Sequence, residues 1–146
     1  MDPHEFLRVA DELSVAMEEA EWRTAVSRAY YAVFHQSRRL LEQCGFAVPK
    51  ADHAHAYLWL RLSNCGHTDV ILVGIKLKEL RSLRNQADYD LQTSQRHKEC
   101  MGAMVIALNI MEILDEALTT PEVQSAITQT IREYETNVLK QPSWHS

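Results

Sequence analysis

Between Leu77 and Asp90 the chain reads LKELRSLRNQADYD, and Arg84, Asn85, Asp88 and Tyr89 are the side chains in it suited to handling a phosphate or an amide. A guanidinium offers planar donors to phosphate, a carboxamide both donates and accepts, and a phenol stacks on a base. A second group stands at Arg28, Tyr31, His35, Arg38 and Arg39. At about 100° per residue these five share one side of a helix, so basic and aromatic groups gather where a solvated face usually mixes both signs of charge. Such a face suits a solvated cation–π surface, a dimer seam or a phosphate-contacting groove, and the residue types leave all three open.

The helix that carries the first group has an internal conflict. Its apolar stripe is Leu77, Leu80, Ala87 and Leu91, and Arg84 and Asp88 fall inside that stripe, not opposite it. An inward guanidinium costs several kcal/mol unless it is paired and hydrogen-bonded. Asp88, four residues on, is within reach along the same helix. Either the pair satisfies itself, or the stripe faces a second subunit or a wet groove and Arg84 is free to bind or stabilise a phosphate. In the helix of the second group the core stripe is Trp22, Val26, Ala29, Tyr30, Val33, Leu40 and Cys44.

Six helices are predicted to position these residues. Asp2, Pro3 and Glu5 read as N-cap, first helical position and N3, followed by the apolar spacing Phe6, Ala10, Leu13, Met17. The second helix runs from about Trp22 to Cys44 and stops at Gly45, with Pro49 in the loop beyond. A shorter helix covers Asp52 to Leu62, and Thr68 or Asp69 caps a fourth that continues through Tyr89. The run Val70-Ile71-Leu72-Val73 has helical surroundings and no partner strand, so it belongs to that fourth helix. A fifth helix spans about Arg96 to Leu118, and Thr120 with Pro121 starts a sixth that fades near Lys140, leaving a loose tail, QPSWHS. The sixth carries the stripe Val123, Ile127, Ile131, Tyr134, Val138. Long helices with short links predict an all-α fold, an up-and-down four-helix bundle with additional short and C-terminal helices. Residues 1–118 form the bundle; residues 119–146 are a C-terminal helix and flexible tail, part of the same domain or an interface.

Composition bounds the function. The chain has 146 residues, 46% of them apolar, with four glycines and four prolines, which leaves little turn material for a many-stranded sheet. A net charge of −5 excludes a protein that coats nucleic acid through its overall field, so any RNA contact must be local. Cys44, Cys65 and Cys100 are odd in number and widely spaced, which suits free thiols in a reducing compartment and a cytoplasmic location. No apolar run reaches the roughly 18 residues of a membrane span, and the start has no signal-peptide core. His53 and His55 are two apart, which diverges by about 200° on a helix and disfavours shared metal ligation. No metal and no cofactor is therefore expected. Met101, Met104 and Met111 read as core filling, and Cys44 as packing on an apolar stripe.

Three segments in order, RTAVSRAYYAVFH from Arg23 to His35, ADHAHAYL from Ala51 to Leu58, and LKELRSLRNQADYD, resemble the HEPN superfamily, most closely its small stand-alone prokaryotic branch. The resemblance spans about Phe6 to Leu118. It implies a bundle of four main helices, a homodimer whose motif helices line a shared cleft, and a cognate nucleotidyltransferase-type partner in a toxin–antitoxin pair. Active members are metal-independent ribonucleases, with an Arg, usually a following polar residue such as Asn, and a His four to six positions after the Arg. Arg84 and Asn85 match the first half, but Asp88, Tyr89 and Asp90 stand where the His belongs, and the next His is His97. RNA cleavage by a 2′-hydroxyl needs a group that carries a proton near neutral pH, and an Asp instead places negative charge where the phosphate sits. The expectation is a non-catalytic or weakly catalytic module that binds a partner protein, nucleotide or RNA through Arg28, Tyr31, His35, Arg81, Asp88 and Tyr89. Arg84 and Asn85 are its catalytic residues if it is active. The alternative is a ribonuclease that borrows His35 or His53 from another helix.

Overall fold

In a computed structural model, which describes residues 1–146, the chain forms six α-helices and no extended strand. They are α1 (His4–Ser14), α2 (Glu19–Cys44), α3 (His53–Leu62), α4 (Thr68–Tyr89), α5 (His97–Leu118) and α6 (Pro121–Tyr134), the last running into a π-helical turn over Glu135–Leu139. No helix is long and apolar enough to cross a membrane.

The helix α2 is central because it can be buried on more than one side. Ala25, Ala29 and Ala32 are fully buried, and their small side chains let neighbouring helices approach the backbone. Around them Val26, Tyr30, Val33, Leu40 and Leu41 fill the core, and α2 touches every other α-helix. Each fully buried Leu or Val contributes roughly 1.5–3 kcal/mol, so the 32 buried apolar residues of the core dominate the driving force. Even polar positions of α2 are enclosed. Gln36 is buried and its Nε2 donates to Asp115 Oδ1 of α5 at 2.7 Å. The helix ends where expected, at Gly45, whose φ of +104° is a left-handed stop that a side chain would strain. The shorter α3 lies against α4, and they cross so closely at Gly74 that a Cβ there would sit 2.3 Å from the Ser63 amide nitrogen.

Several expectations yield to this packing. The α1 helix stops at Ser14, so Met17 lies in the turn to α2 and is exposed, while Trp22 Nε1 donates to the Ala16 carbonyl and pins that turn. Neither Thr68 nor Asp69 caps α4; His67 does, its Nδ1 accepting from the Val70 amide at 3.4 Å. Leu91 is beyond the end of α4 and exposed, because the chain leaves the helix at Asp90. Met101 is on the outer side of α5 and exposed, unlike the buried Met104 and Met111. Val138 is also exposed, since the π turn rotates it off the stripe that buries Ile127 and Ile131.

The tail is not loose. Trp144 Nε1 donates to the Cys44 carbonyl at 2.9 Å, the His145 amide to Gly45 and the Ala47 amide to Ser143, so a short antiparallel bridge pairs Phe46 with Trp144. The left-handed turn at Gly45 leaves backbone groups that need partners, and the tail supplies them. Beneath it Glu135, 1% exposed, accepts from Arg61 Nε at 2.6 Å and from the Ser143 amide at 3.0 Å.

Candidate functional site

Arg28 and Tyr31 of the second group meet Arg84 of the first in a groove where α2, α3 and α4 pack, whereas Arg38 and Arg39 lie further along α2. The Arg84 guanidinium lies 5.1 Å from the Tyr31 ring centre and 5.4 Å from that of Tyr89. The Arg28 guanidinium is 5.3 Å from the same Tyr31 ring. Tyr31 thus has two cations within cation–π distance.

The conflict in the α4 stripe resolves along the helix. Arg84 Nε lies 2.8 Å from Asp88 Oδ2, although its N–H does not point at that oxygen, so the contact is an ion pair without a hydrogen bond. Arg84 Nη1 donates to Asn85 Oδ1 at 3.1 Å, and Ser27 Oγ of α2 donates to Asp88 Oδ2 at 3.1 Å. The Asp88 carboxylate therefore occupies the space beside Arg84 and is itself held from α2. Arg81, one turn earlier, has its Nε buried with no hydrogen-bond partner. Asn85 and Tyr89 are exposed.

Two histidines stand against Tyr31, His35 at 6.2 Å and His55 at 6.4 Å between ring centres, and His53 does not. His53 is exposed, whereas His55 is 7% exposed in a box formed by the rings of Tyr30, Tyr31 and Phe34. Burial lowers its affinity for a proton, and Arg81 and Arg84 lower it further against a weaker opposing pull from Asp52, so His55 is neutral at pH 7. Burial also pushes the Tyr30 phenol up, so that it keeps its proton. Tyr30 Oη and His55 Nδ1 are hydrogen-bonded, and with both groups neutral the imidazole tautomer decides which of them donates.

His35 is one turn beyond Tyr31, stacked on Phe6 of α1 with ring centres 5.6 Å apart. Burial, then the charges of Arg38 and Arg28, hold its proton affinity below the ordinary value. Arg38 is not available to a ligand: it binds Glu42 and the carbonyls of Pro49 and Val48, closing the loop after α2.

Sequence reasoning missed Arg23. Its Nη1 donates to the carbonyls of Gln86, Ala87 and Asp90, at 3.1, 3.0 and 2.9 Å, and so caps the C-terminal end of α4. Gln86 O also accepts from the Asp90 amide, while the Ala87 and Asp90 carbonyls have no backbone partner, and the negative end of the helix dipole favours a cation there. The available signal was its place at the edge of the apolar stripe of α2, next to Trp22. The roomiest cleft, of about 640 Å³, lies elsewhere, between the end of α2 and α6, lined by Gln43, Cys44, Gln124, Thr128 and Arg132. Two of its amides are spent on the end of α5, Gln43 donating to Leu118 and Gln124 to Ala117 and Leu118. Among His, Cys, Asp and Glu no group of three converges in a way that would hold a metal ion.

Comparison with known proteins gives one family and one relative. A Methanocaldococcus jannaschii protein, named "Uncharacterized protein MJ0992", is 25% identical over 145 residues, covering 86% of this chain and 79% of its own length. No solved structure matches. The HEPN domain model matches residues 6–117, which contain the groove, the three helices that build it and Arg23, and the chain belongs to the HEPN family.

Proposed function

We propose that this chain is a non-cleaving HEPN module that forms a homodimer and uses the exposed end of its α4 motif to engage a nucleotidyltransferase-type partner, as the HEPN half of a toxin–antitoxin pair. The observation that carries this reading is the Asp88 carboxylate beside Arg84, fixed by Ser27 where an active member carries its His. A carboxylate there neutralises the cation that would hold a scissile phosphate and repels the phosphate itself. Asn85 and Tyr89, exposed beside it, remain as recognition groups. For the homodimer, Met101, Val105 and Leu108 recur at helical spacing on α5 and are exposed, as are Leu72 and Ile75 on α4. Exposed apolar strips of this kind mark protein interfaces more often than solvent faces.

RNA cleavage is a second reading, favoured by the neutral His55 packed edge-on to Tyr31. It requires Nε2 of His55 to accept a proton, since Nδ1 is taken by the bond to Tyr30. The test is incubation of the purified protein with total and synthetic single-stranded RNA in excess chelator, beside Arg84→Ala, with mass measured by light scattering. Intact RNA and a dimer mass are expected. Metal-free cleavage that disappears in Arg84→Ala would replace this reading with the ribonuclease.

A further inference from the structure

We propose that the outer face of α5 is a self-complementary recognition stripe, which pairs antiparallel with the α5 of a second copy of this chain in a register centred on Val105. The inference rests on the homodimer reading and goes beyond it, because it assigns the helix, its direction and the residues that choose the partner.

Lys98, Met101, Gly102, Val105, Leu108 and Glu112 are all exposed on α5. At about 100° per residue they fall within about 60° of Val105, so they form one stripe along the helix. Val105 is its midpoint. Lys98 and Glu112 lie equally far to either side of it in the sequence, and so do Gly102 and Leu108. A half-turn about an axis through Val105 therefore lays the stripe on a copy of itself, the isologous arrangement of a two-fold dimer. Lys98 then meets Glu112 of the second copy, and Leu108 meets the gap left by its Gly102. Val105 meets its own counterpart. Met101 lies opposite Asn109, the one pair without a match in chemistry or size.

Two observations point to this occupant beyond the exposure of apolar side chains. Lys98 and Glu112 take part in none of the ion pairs within the chain. The rise of the helix sets them about 21 Å apart, so they cannot neutralise each other in one copy. At Gly102, a Cβ would meet nothing within 4 Å. The fold itself thus gives no reason for glycine there, although glycine weakens a helix relative to alanine. A close approach by another helix does give one. Direction follows from charge: a parallel pairing would set Lys98 against Lys98 and Glu112 against Glu112, and would align the two helix dipoles. The antiparallel pairing removes both conflicts and leaves an apolar centre between charged ends, the usual anatomy of an interface. A second copy supplies this complement by symmetry alone.

The experiment is sedimentation equilibrium of the full-length protein with reversed charges. Lys98→Glu and Glu112→Lys each place like charges at both symmetric contacts, and each should weaken the dimer about tenfold. An equimolar mixture of these two variants regains the wild-type affinity as a heterodimer, because both contacts are again oppositely charged. The double variant, Lys98→Glu with Glu112→Lys, regains it as a homodimer for the same reason. Gly102→Leu fills the gap that receives Leu108 and also weakens the dimer about tenfold, with unchanged helicity, since a side chain there has open space within the chain. A wild-type chain that stays monomeric at every concentration overturns this inference and the homodimer reading together, and leaves the stripe to a different protein. A dimer that responds to neither charge reversal nor Gly102→Leu overturns this inference alone and puts the two-fold axis elsewhere. Weakened single variants whose mixture does not recover overturn the antiparallel register.

Discussion

Arg84 and Asp88 form an ion pair one turn apart on α4, Nε to Oδ2 at 2.8 Å, with the Ser27 hydroxyl holding the carboxylate from α2. The cation at the centre of the motif is thus balanced from within its own helix. Replacing Asp88 tests what that balance does. Asp88→Asn removes the charge and keeps the shape, so single-stranded RNA should bind several-fold more tightly at low salt, read by fluorescence anisotropy. Asp88→His places an imidazole four residues after Arg84 and should confer metal-independent cleavage that Arg84→Ala then abolishes. If neither affinity nor cleavage rises, the carboxylate is not what silences the groove.

Arg23 fixes the end of the motif helix through three carbonyls of α4. Arg23→Met keeps much of the buried aliphatic volume and removes every donor, leaving those carbonyls without their cap. We expect a loss of about 1–3 kcal/mol in urea unfolding, the range for unsatisfied buried acceptors. Amide exchange should quicken first at residues 86–90. Exchange that rises evenly along the chain would show that Arg23 supports the fold at large and not the motif helix.

Periodicity made most of this architecture legible. Apolar spacing, the stop at Gly45 and the start at Pro121 locate the helices to within a few residues, because each must bury one stripe. The ion pair at Arg84 is one of the two alternatives that the spacing leaves open, since i and i+4 side chains are neighbours on a helix. What periodicity does not encode is contact between helices. His55 and His53 look alike in sequence, and only the packing of α3 against Tyr30 puts one in the groove and the other in solvent. Arg23 reads as an ordinary charge on a helix until α4 ends beside it. The tail has no apolar period at all; its order comes from single polar contacts at Ser143 and Trp144.

The histidines should titrate in opposite directions. Burial and neighbouring arginines lower His55 and His35, while hydrogen bonds to Asp115 and Asp2 raise His4. Carbon-detected titration of the ring signals should therefore place His55 and His35 below about 6.5 and His4 above it. The sign for stability follows. Folding favours neutral His55 and His35, so their contribution is complete above about pH 6.5 and is lost as pH falls through their lowered values. The His4 contribution is complete below about pH 6.5 and is lost as pH rises through its raised value, and it is small because the group is largely exposed. Net stability should then fall from pH 7 to pH 5. A His55 signal that titrates at the ordinary value would contradict the closed aromatic box.

The buried pair Arg61–Glu135 ties α3 to the C-terminal turn, with side chains 5% and 1% exposed. Removing one partner strands the other charge in the core, which costs about 3–5 kcal/mol, whereas replacing both by apolar groups of similar size is often close to neutral. Glu135→Gln and Arg61→Met should each lower the urea midpoint strongly. The double variant Arg61→Met with Glu135→Leu should recover most of the loss in the helical bundle. It should not recover the tail, because Glu135 also accepts from the Ser143 amide. Fluorescence of Trp144, isolated by replacing Trp22 and Trp59 with Phe, should therefore become solvent-exposed in the double variant while helicity is retained. A double variant that is no more stable than either single one would mean that the pair contributes net stability beyond mutual neutralisation.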